Sequence, residues 1–199
     1  MKWSALSLVS FVFSAFASPL HPTSRSTRLD LYTLRISTRS SKTLDGQYLG
    51  LKNSTVGVYQ DSSALRIYPT TSDSSGNVEL HVYPNGVVDH ALALRGGSAQ
   101  LDFLEVADPA MSTDALSEPD TRKNNPGEDL DWRSFVLNAE PQTAGKPANC
   151  LGYSAKDGRW VVVPFGVDGE WSVKFQTDDG IFAEDYVPID ITYEKVTSV

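Results

Sequence analysis

The sequence has 199 residues, of which 40% are hydrophobic and 10% are aromatic. This length fits one domain and this composition fits a packed core, so a globally disordered chain is excluded. The formal net charge is −8 and no cluster of Lys or Arg occurs, so neither nucleic acid nor an anionic membrane surface is expected as a partner.

The N-terminus has the pattern of a secretory signal peptide. Lys2 supplies a positive charge, residues 5–13 form an apolar run, and an Ala-x-Ala motif ends at Ala17. The run is too short to span a bilayer, although a short membrane anchor is the alternative. We therefore predict a signal peptide over 1–17 and a flexible polar leader over 18–28. The mature chain is expected to be secreted, extracellular or in the cell wall, with no membrane contact after cleavage.

From residue 29 onward the pattern is that of an all-β domain. Val, Ile, Tyr, Phe and Trp recur in short runs separated by Gly, Asp, Asn, Ser and Pro, and no stretch keeps a helical apolar period for three turns. We predict a single all-β domain over 29–199. Residues 107–131 are acidic and proline-bearing with few large apolar side chains, so we predict an exposed loop insertion there.

A hairpin pattern recurs three times in this domain. An apolar triplet, a polar turn of four or five residues and a second apolar run follow one another from Leu49, Leu92 and Leu151. For the third repeat the pattern pairs 151–153 with 159–163. Three such units predict a β-trefoil-like barrel, with these residues facing inward: Leu49, Leu51, Leu92, Leu94, Leu151 and Tyr153. Because any β-rich sequence yields similar hairpins, a Greek-key β-sandwich is the alternative.

The turn of the first repeat contains Asn53-Ser54-Thr55, the one Asn-x-Ser/Thr sequon in the sequence. In a chain that enters the secretory pathway, an exposed sequon is an acceptor for an N-linked glycan. We therefore predict that Lys52-Asn53-Ser54-Thr55 is a hairpin tip that carries a glycan on Asn53. The alternative is a binding element.

Few residues have the spacing of a catalytic or metal site. His81, His90 and Asp89 are a candidate polar site, but their spacing matches no zinc pattern. No Gly-x-Ser-x-Gly elbow occurs. Cys150 is the single cysteine, so we expect a free buried thiol, with an intermolecular bridge or a reactive thiol as alternatives. We expect no cofactor, no metal and no catalytic residue.

Tryptophans in or near predicted strands offer a second kind of candidate site. Trp132, Trp160 and Trp171 would stack on a sugar if their rings are exposed, or close the barrel core if they are buried. Carboxylates flank Trp132 and Trp171, which is an arrangement that glycoside hydrolases use. The sequence has 25 Asp and Glu residues, so such neighbours also arise by chance.

Two short motifs carry a resemblance to a known family. The strand opening DGQYLGL at Asp45 and the segment HALALRGG at His90, with the signal and the sequon, resemble small secreted proteins of filamentous ascomycetes. These include the PhiA-like cell-wall proteins of phialide development and their hypersensitive-response-inducing relatives. The resemblance covers roughly 44–196 and implies a non-catalytic wall or surface role. The Gln-x-Trp signature of ricin-type lectins is missing, since Gly169-Glu170-Trp171 stands in its place, so no sugar site carries over from them.

Taken together, these patterns predict a secreted, fungal-like glycoprotein without catalytic activity, whose partner is cell-wall polysaccharide or a host surface. One alternative is a small secreted enzyme, either a glycan hydrolase or a cyclase or isomerase of secondary metabolism. The other is a secreted effector or carbohydrate-binding module. No pattern in the sequence predicts the oligomeric state.

Overall fold

The structure, a computed structural model, describes residues 29–72, 74–96, 99–109, 129–141, 147–180 and 185–196. The predicted signal peptide, the leader and most of the acidic insertion lie outside the described residues. The all-β prediction is confirmed, because the described residues form one antiparallel sheet of 14 strands. The strands are β1 Tyr32–Ser37, β2 Gly50–Lys52, β3 Thr55–Val58, β4 Arg66–Thr71, β5 Val78–Tyr83, β6 His90–Gly96, β7 Gln100–Ala107, β8 Asp129–Asp131, β9 Phe135–Ala139, β10 Cys150–Tyr153, β11 Gly158–Pro164, β12 Trp171–Thr177, β13 Val187–Pro188 and β14 Asp190–Lys195.

Six of these strands pair in a closed order. β1 pairs with β4, β4 with β5, β5 with β9, β9 with β10, β10 with β14, and β14 pairs back with β1. One of the two longest of these ladders joins β1 to β14 over their full length, from Tyr32 opposite Lys195 to Ser37 opposite Asp190. In this order every one of the six strands has a partner on both sides, so none of them is an edge of the sheet.

The other strands include three hairpins, of which the sequence predicted two. β2 pairs with β3, and β6 pairs with β7, as expected from the first two repeats. The third prediction is wrong: β10 pairs with β9 and β14, and β11 pairs with β12 instead. The connection from β11 to β12 contains Gly166 and Gly169 at φ of 65° and 85°, conformations that suit a hairpin turn. Residues 154–158, which the prediction used as the turn, contain no residue with positive φ.

The three hairpins also contact one another. β3 pairs with β7, and β12 pairs with both β3 and β7. The leucine that opens each predicted repeat is buried, with Leu49 and Leu92 at 0% and Leu151 at 2% exposure. These three residues and Leu94 belong to one hydrophobic core, so the inward position predicted for them is confirmed. Leu51 and Tyr153, also predicted to face inward, are partly buried and pack against this core.

An aromatic cluster occupies the centre of this core. The ring of Trp160 lies 5.1 Å from that of Phe103 and 5.3 Å from that of Phe175, measured between centroids. All three side chains are at most 1% exposed. The indole Nε1 of Trp160 donates a hydrogen bond of 2.8 Å to the carbonyl of Leu151, which satisfies the one polar atom of the ring. This bond joins β11 to β10 through a side chain where the backbones of the two strands are not paired.

The ends of the predicted acidic insertion are strands. Ala107 is the last residue of β7, opposite His90, and Asp129–Asp131 forms β8, which pairs with β6. Backbone pairing with β6 therefore fixes the residues at both ends of the insertion predicted over about 107–131. Residues 110–128 lie outside the described part of the chain.

Candidate functional site

The sequon occupies a tighter turn than the sequence predicted. Lys52 and Thr55 belong to β2 and β3, so Asn53 and Ser54 alone form the turn, and both are exposed. Their φ angles of 51° and 60° are those of a type I′ turn, which matches the twist of a two-residue hairpin. The carbonyl of Ser54 accepts a 2.8 Å hydrogen bond from the backbone N–H of Glu105, which fixes the turn against β7. Asn53 thus stands at a rigid, exposed hairpin tip.

An ion pair between a partly exposed lysine and a buried glutamate lies beside this turn. Lys52 Nζ is 2.6 Å and 2.8 Å from the two carboxylate oxygens of Glu170, which is 6% exposed. The same Nζ lies 5.8 Å from the ring centroid of Tyr59. The hydroxyl of Tyr59 is buried and has no hydrogen-bond partner among the described residues. Burial, and then the nearby Glu170 carboxylate, raise the pKa of Tyr59 to about 12. The cluster ties β2 to the start of β12.

The predicted polar site of His81, Asp89 and His90 is only partly assembled. His81 Nδ1 lies 3.1 Å from Asp89 Oδ1, and its Nε2 lies 2.9 Å from Thr70 Oγ1. The imidazole also stacks on Tyr68, with the centroids 5.0 Å apart. His90 instead contacts Glu105, with Nδ1 3.1 Å from Oε1. Both nitrogens of His81 are engaged in these contacts, and the residue is 8% exposed. The contacts join β4, β5 and the loop before β6. Within the described ranges, no group of His, Cys, Asp and Glu could hold a metal ion.

The three tryptophans do not form an exposed platform. Trp160 is 1% exposed and Trp132 is 5% exposed, and the guanidinium of Arg133 lies 4.7 Å above the Trp132 ring. Trp171 is half-buried and packs against the core. The sugar-stacking role proposed for Trp132 and Trp160 is therefore wrong for this structure, because neither ring has a face open to solvent.

Cys150 lies in a small cavity that also contains two carboxylates. The thiol is 3% exposed, and its Sγ donates a 3.4 Å hydrogen bond to the carbonyl of Pro147. Burial raises the pKa of Cys150 to about 11, with smaller contributions from Asp190 and Glu140. The thiol is therefore protonated at neutral pH and is a weak nucleophile. The cavity has a volume of about 250 Å³, and Glu140 and Asp190 line it with Cys150.

A row of directly opposed residues crosses four neighbouring strands on the outer face of the sheet. Arg66 on β4 lies opposite Tyr83 on β5 and opposite Thr33 on β1. Thr33 in turn lies opposite Glu194 on β14. Opposed residues of antiparallel strands project from the same face, and neighbouring strands are about 4.8 Å apart, so the row spans roughly 14 Å. The alternate residues Leu34 and Ile67 project into the core and are at most 1% exposed.

This row lines a groove, which we call the tyrosine groove. Its volume is about 600 Å³, and it is lined by the four residues of the row together with Tyr48, Ser63, Ala64, Pro84, Lys195 and Val196. Tyr48 is 46% exposed and Tyr83 is 37% exposed, so each ring is available to a ligand. The volume lies within the range of ligand sites in proteins, and the lining combines aromatic surface with a few polar groups, as such sites do.

An ion pair stands at one end of the tyrosine groove. Arg35 Nη1 lies 2.7 Å from Glu194 Oε1, and the Arg35 guanidinium lies 4.8 Å above the ring of Tyr48. The hydrogen bond to Glu194 is the main cause that raises the pKa of Arg35. Glu194 also lines a second cavity of about 360 Å³ that contains Asp45 and Asn149. Glu194 therefore lines both cavities, and its partner Arg35 lines the second one.

The residues of the tyrosine groove were not among the candidates from the sequence. Arg66 lies between the buried Leu65 and Ile67, so strand alternation does predict that its side chain projects outward. That signal does not show which residues stand beside it. The opposition of Arg66 to Tyr83 and Thr33 depends on pairing with two other strands, which a single sequence does not give.

No family model, curated protein or solved structure matches the chain. Within the described residues, no helix combines the length and apolar character needed to cross a membrane. The function must accordingly be argued from the geometry of the surface and of the cavities.

Proposed function

We propose that this protein is a secreted, non-catalytic glycoprotein of the cell wall or extracellular surface that binds polysaccharide in the tyrosine groove. The observation that carries the proposal is the row of Tyr83, Arg66, Thr33 and Glu194 beside the exposed ring of Tyr48. The partner is cell-wall polysaccharide, or a glycan of a host surface if the protein acts as an effector.

The chemistry of the groove suits a saccharide. Aromatic rings such as those of Tyr48 and Tyr83 pack against the C–H faces of a sugar, while hydroxyl, guanidinium and carboxylate groups bond to its oxygens. An open groove admits the interior of a polymer as well as its end. The row offers hydrogen-bond donors and acceptors along roughly 14 Å, which suits a ligand with many hydroxyl groups.

Secretion and glycosylation are part of the same proposal. The exposed turn position of Asn53 supports it, because a sequon can be modified only where the asparagine is accessible. The N-terminal signal pattern and the resemblance to ascomycete cell-wall proteins point to the same compartment. The matching experiment is expression of the full chain in a secreting fungal host, followed by detection in the medium and in the isolated wall.

A β-trefoil-like barrel is the fold that we propose. Its support is the closed order β1–β4–β5–β9–β10–β14 together with three hairpins that pair among themselves. A sandwich would require two facing sheets with separate edges. A crystal structure tests the proposal: the segments around the three hairpins should superpose on one another after rotations of about one third of a turn.

Binding to isolated polysaccharides tests the proposed activity. The wild type should co-sediment with an insoluble wall glucan or a pectin gel, and Tyr48→Ala and Tyr83→Ala should each lower the affinity about threefold to tenfold. Val167→Ala is the matched control, because Val167 is exposed but lies in the turn between β11 and β12. Thermal unfolding of each variant shows whether it is folded. Equal binding by all four proteins would contradict the proposal.

A small hydrolase is the second candidate, and one observation favours it. The cavity at Cys150 brings the buried Asp190, 2% exposed, into the same space as Glu140, and paired carboxylates carry out glycoside hydrolysis. Release of reducing sugar from wall glucans by the wild type, lost in Asp190→Asn, would establish this activity. Binding without any release, unchanged in Asp190→Asn, would leave the non-catalytic function as the better account.

A further inference from the structure

Among the described residues, one cation of the tyrosine groove has no side-chain partner, which distinguishes it from Lys195 in the lining and from Arg35 at one end of the groove. The Arg35 guanidinium is paired with Glu194 at 2.7 Å, and Lys195 Nζ is paired with Asp30 Oδ1 at 2.6 Å. The side chain of Arg66 is exposed and makes no hydrogen bond or ion pair with any residue in the described part of the chain. The charge that the groove presents to a ligand is therefore that of Arg66.

The position of Arg66 is also central to the row. It stands between Tyr83 on one side and Thr33 on the other, directly opposite both. A guanidinium offers a planar fork of N–H donors that bonds both oxygens of a carboxylate, and it does so more strongly than a neutral donor would. A sugar whose carboxylate is bound by Arg66 would contact the ring of Tyr83 on one side and the hydroxyl of Thr33 on the other.

From this arrangement we infer that the groove selects a polysaccharide containing uronic acid, with the C6 carboxylate of one sugar unit bound by Arg66. The inference rests on the proposed polysaccharide-binding function and specifies its ligand. Tyr83 packs on the ring of the same sugar, and the Thr33 hydroxyl bonds to one of its oxygens. Tyr48 takes a neighbouring sugar of the polymer.

The charge of the rest of the molecule sets what kind of anion can bind. The chain has a net charge of −8, and Glu194 stands two strands from Arg66 in the same row. A polyanion without sugar rings would meet this negative charge with one guanidinium to offset it, whereas a uronic acid unit would also gain the contacts with Tyr83 and Thr33. Binding should therefore depend weakly on salt, unlike the steep dependence of polyanion binding to a basic surface.

The test measures the affinity of the full secreted protein for matched oligosaccharides by isothermal titration calorimetry. Oligogalacturonate and oligoglucuronate are the acidic probes, and the methyl ester of oligogalacturonate is its neutral counterpart. The wild type should bind an acidic probe about tenfold more tightly than the ester, since a hydrogen bond to a charged group is worth that much. Comparison of the two acidic probes identifies which uronic acid is preferred. Poly-glutamate, a polyanion without sugar rings, should not bind.

Variants of the arginine show whether it is the selecting group. Arg66→Gln should bind the acidic probe no better than the ester, and Arg66→Lys should keep part of the preference, because it retains charge without the planar fork. Arg159→Gln is the matched control, since it removes an equal charge from an exposed position on β11. It should behave as the wild type does.

The outcomes separate this inference from the function on which it rests. Equal binding of acid and ester by the wild type, or an equal effect of Arg66→Gln and Arg159→Gln, would overturn the uronate inference and leave polysaccharide binding standing. Tight binding of poly-glutamate would also overturn it. Failure to bind any saccharide, acidic or neutral, would overturn the proposed function itself. Thermal unfolding of Arg66→Gln and Arg66→Lys confirms that lost binding is not lost folding.

Discussion

Replacing Ser54 with glycine should stabilise the protein. Ser54 has a φ of 60°, a left-handed conformation that costs a residue with a Cβ about 1–2 kcal/mol. Glycine removes this cost but loses about 0.5–1 kcal/mol of chain entropy, so the net gain should be about 0.5–1 kcal/mol. The bond from the N–H of Glu105 to the Ser54 carbonyl involves backbone only and is retained. The sequon is also retained, since its middle position accepts glycine.

Thermal and urea unfolding measure this change in stability. For a domain of this size, a gain of 0.5–1 kcal/mol raises the Tm by about 1–4 °C. Ser54→Ala, made in the same host, is the matched control: it keeps the Cβ and should be no more stable than the wild type. If Ser54→Gly unfolds at the same temperature as Ser54→Ala, or below the wild type, then the turn is not the type I′ turn described here.

Three further predictions concern buried and exposed side chains. Tyr59→Phe should raise the free energy of unfolding by about 1 kcal/mol at pH 7, because it removes a buried hydroxyl that has no hydrogen-bond partner among the described residues. A decrease of that size in the free energy of unfolding would contradict this prediction. Folding raises the pKa of Cys150 from 9.0 to about 11 and the pKa of Tyr59 from 10.0 to about 12. Each group therefore stabilises the fold fully below its unfolded pKa, and this stabilisation is lost as the pH rises through its folded pKa. The wild-type Tm should thus fall above pH 9, Tyr59→Phe should fall less steeply above pH 10, and a thiol reagent at pH 8 should label Cys150 only after unfolding. The secreted protein should be heavier than its sequence mass, and Asn53→Gln should abolish the difference while changing stability by less than about 0.5 kcal/mol; secreted material of unmodified mass would refute the glycan.

The strands were predictable because their signals are local, whereas some of their partners were not. The apolar runs at 49–51 and 56–59 lie next to each other in the sequence, and the short turn between them leaves β2 and β3 only one way to pair. The run at 151–153 has an apolar run before it in the sequence, at 135–137, and another after it, at 159–163, and either is a suitable partner by local pattern. The closed order of six strands takes β10 as a member, so β11 pairs with β12. That choice depends on contacts across the whole chain, which no local pattern contains.

The candidate site was missed for a related reason. The candidates from the sequence were rare residues such as tryptophan and histidine. Trp160, however, is part of the core, where it packs against Phe103 and Phe175. The tyrosine groove is made of common residues whose importance comes from register alone. Tyr83 ends one strand and Arg66 begins another, and only the ladder between β4 and β5 places them side by side.

The ladder between β1 and β14 has a consequence for the order in which the chain folds. The ion pair between these strands joins residues that are 159 positions apart, so β1 can pair with β14 only after nearly all of the described chain has been synthesised. Such non-local pairing makes folding slow, because the entropy of closing a long loop is lost before the stabilising contacts between the strands can form. Hairpins with short turns, such as β2–β3, can form before that closure. The turn with Asn53 can therefore form while the closed order of six strands is still incomplete. A chain arrested before β14 would leave the β14 side of β1 as an unpaired edge, which invites association with other chains.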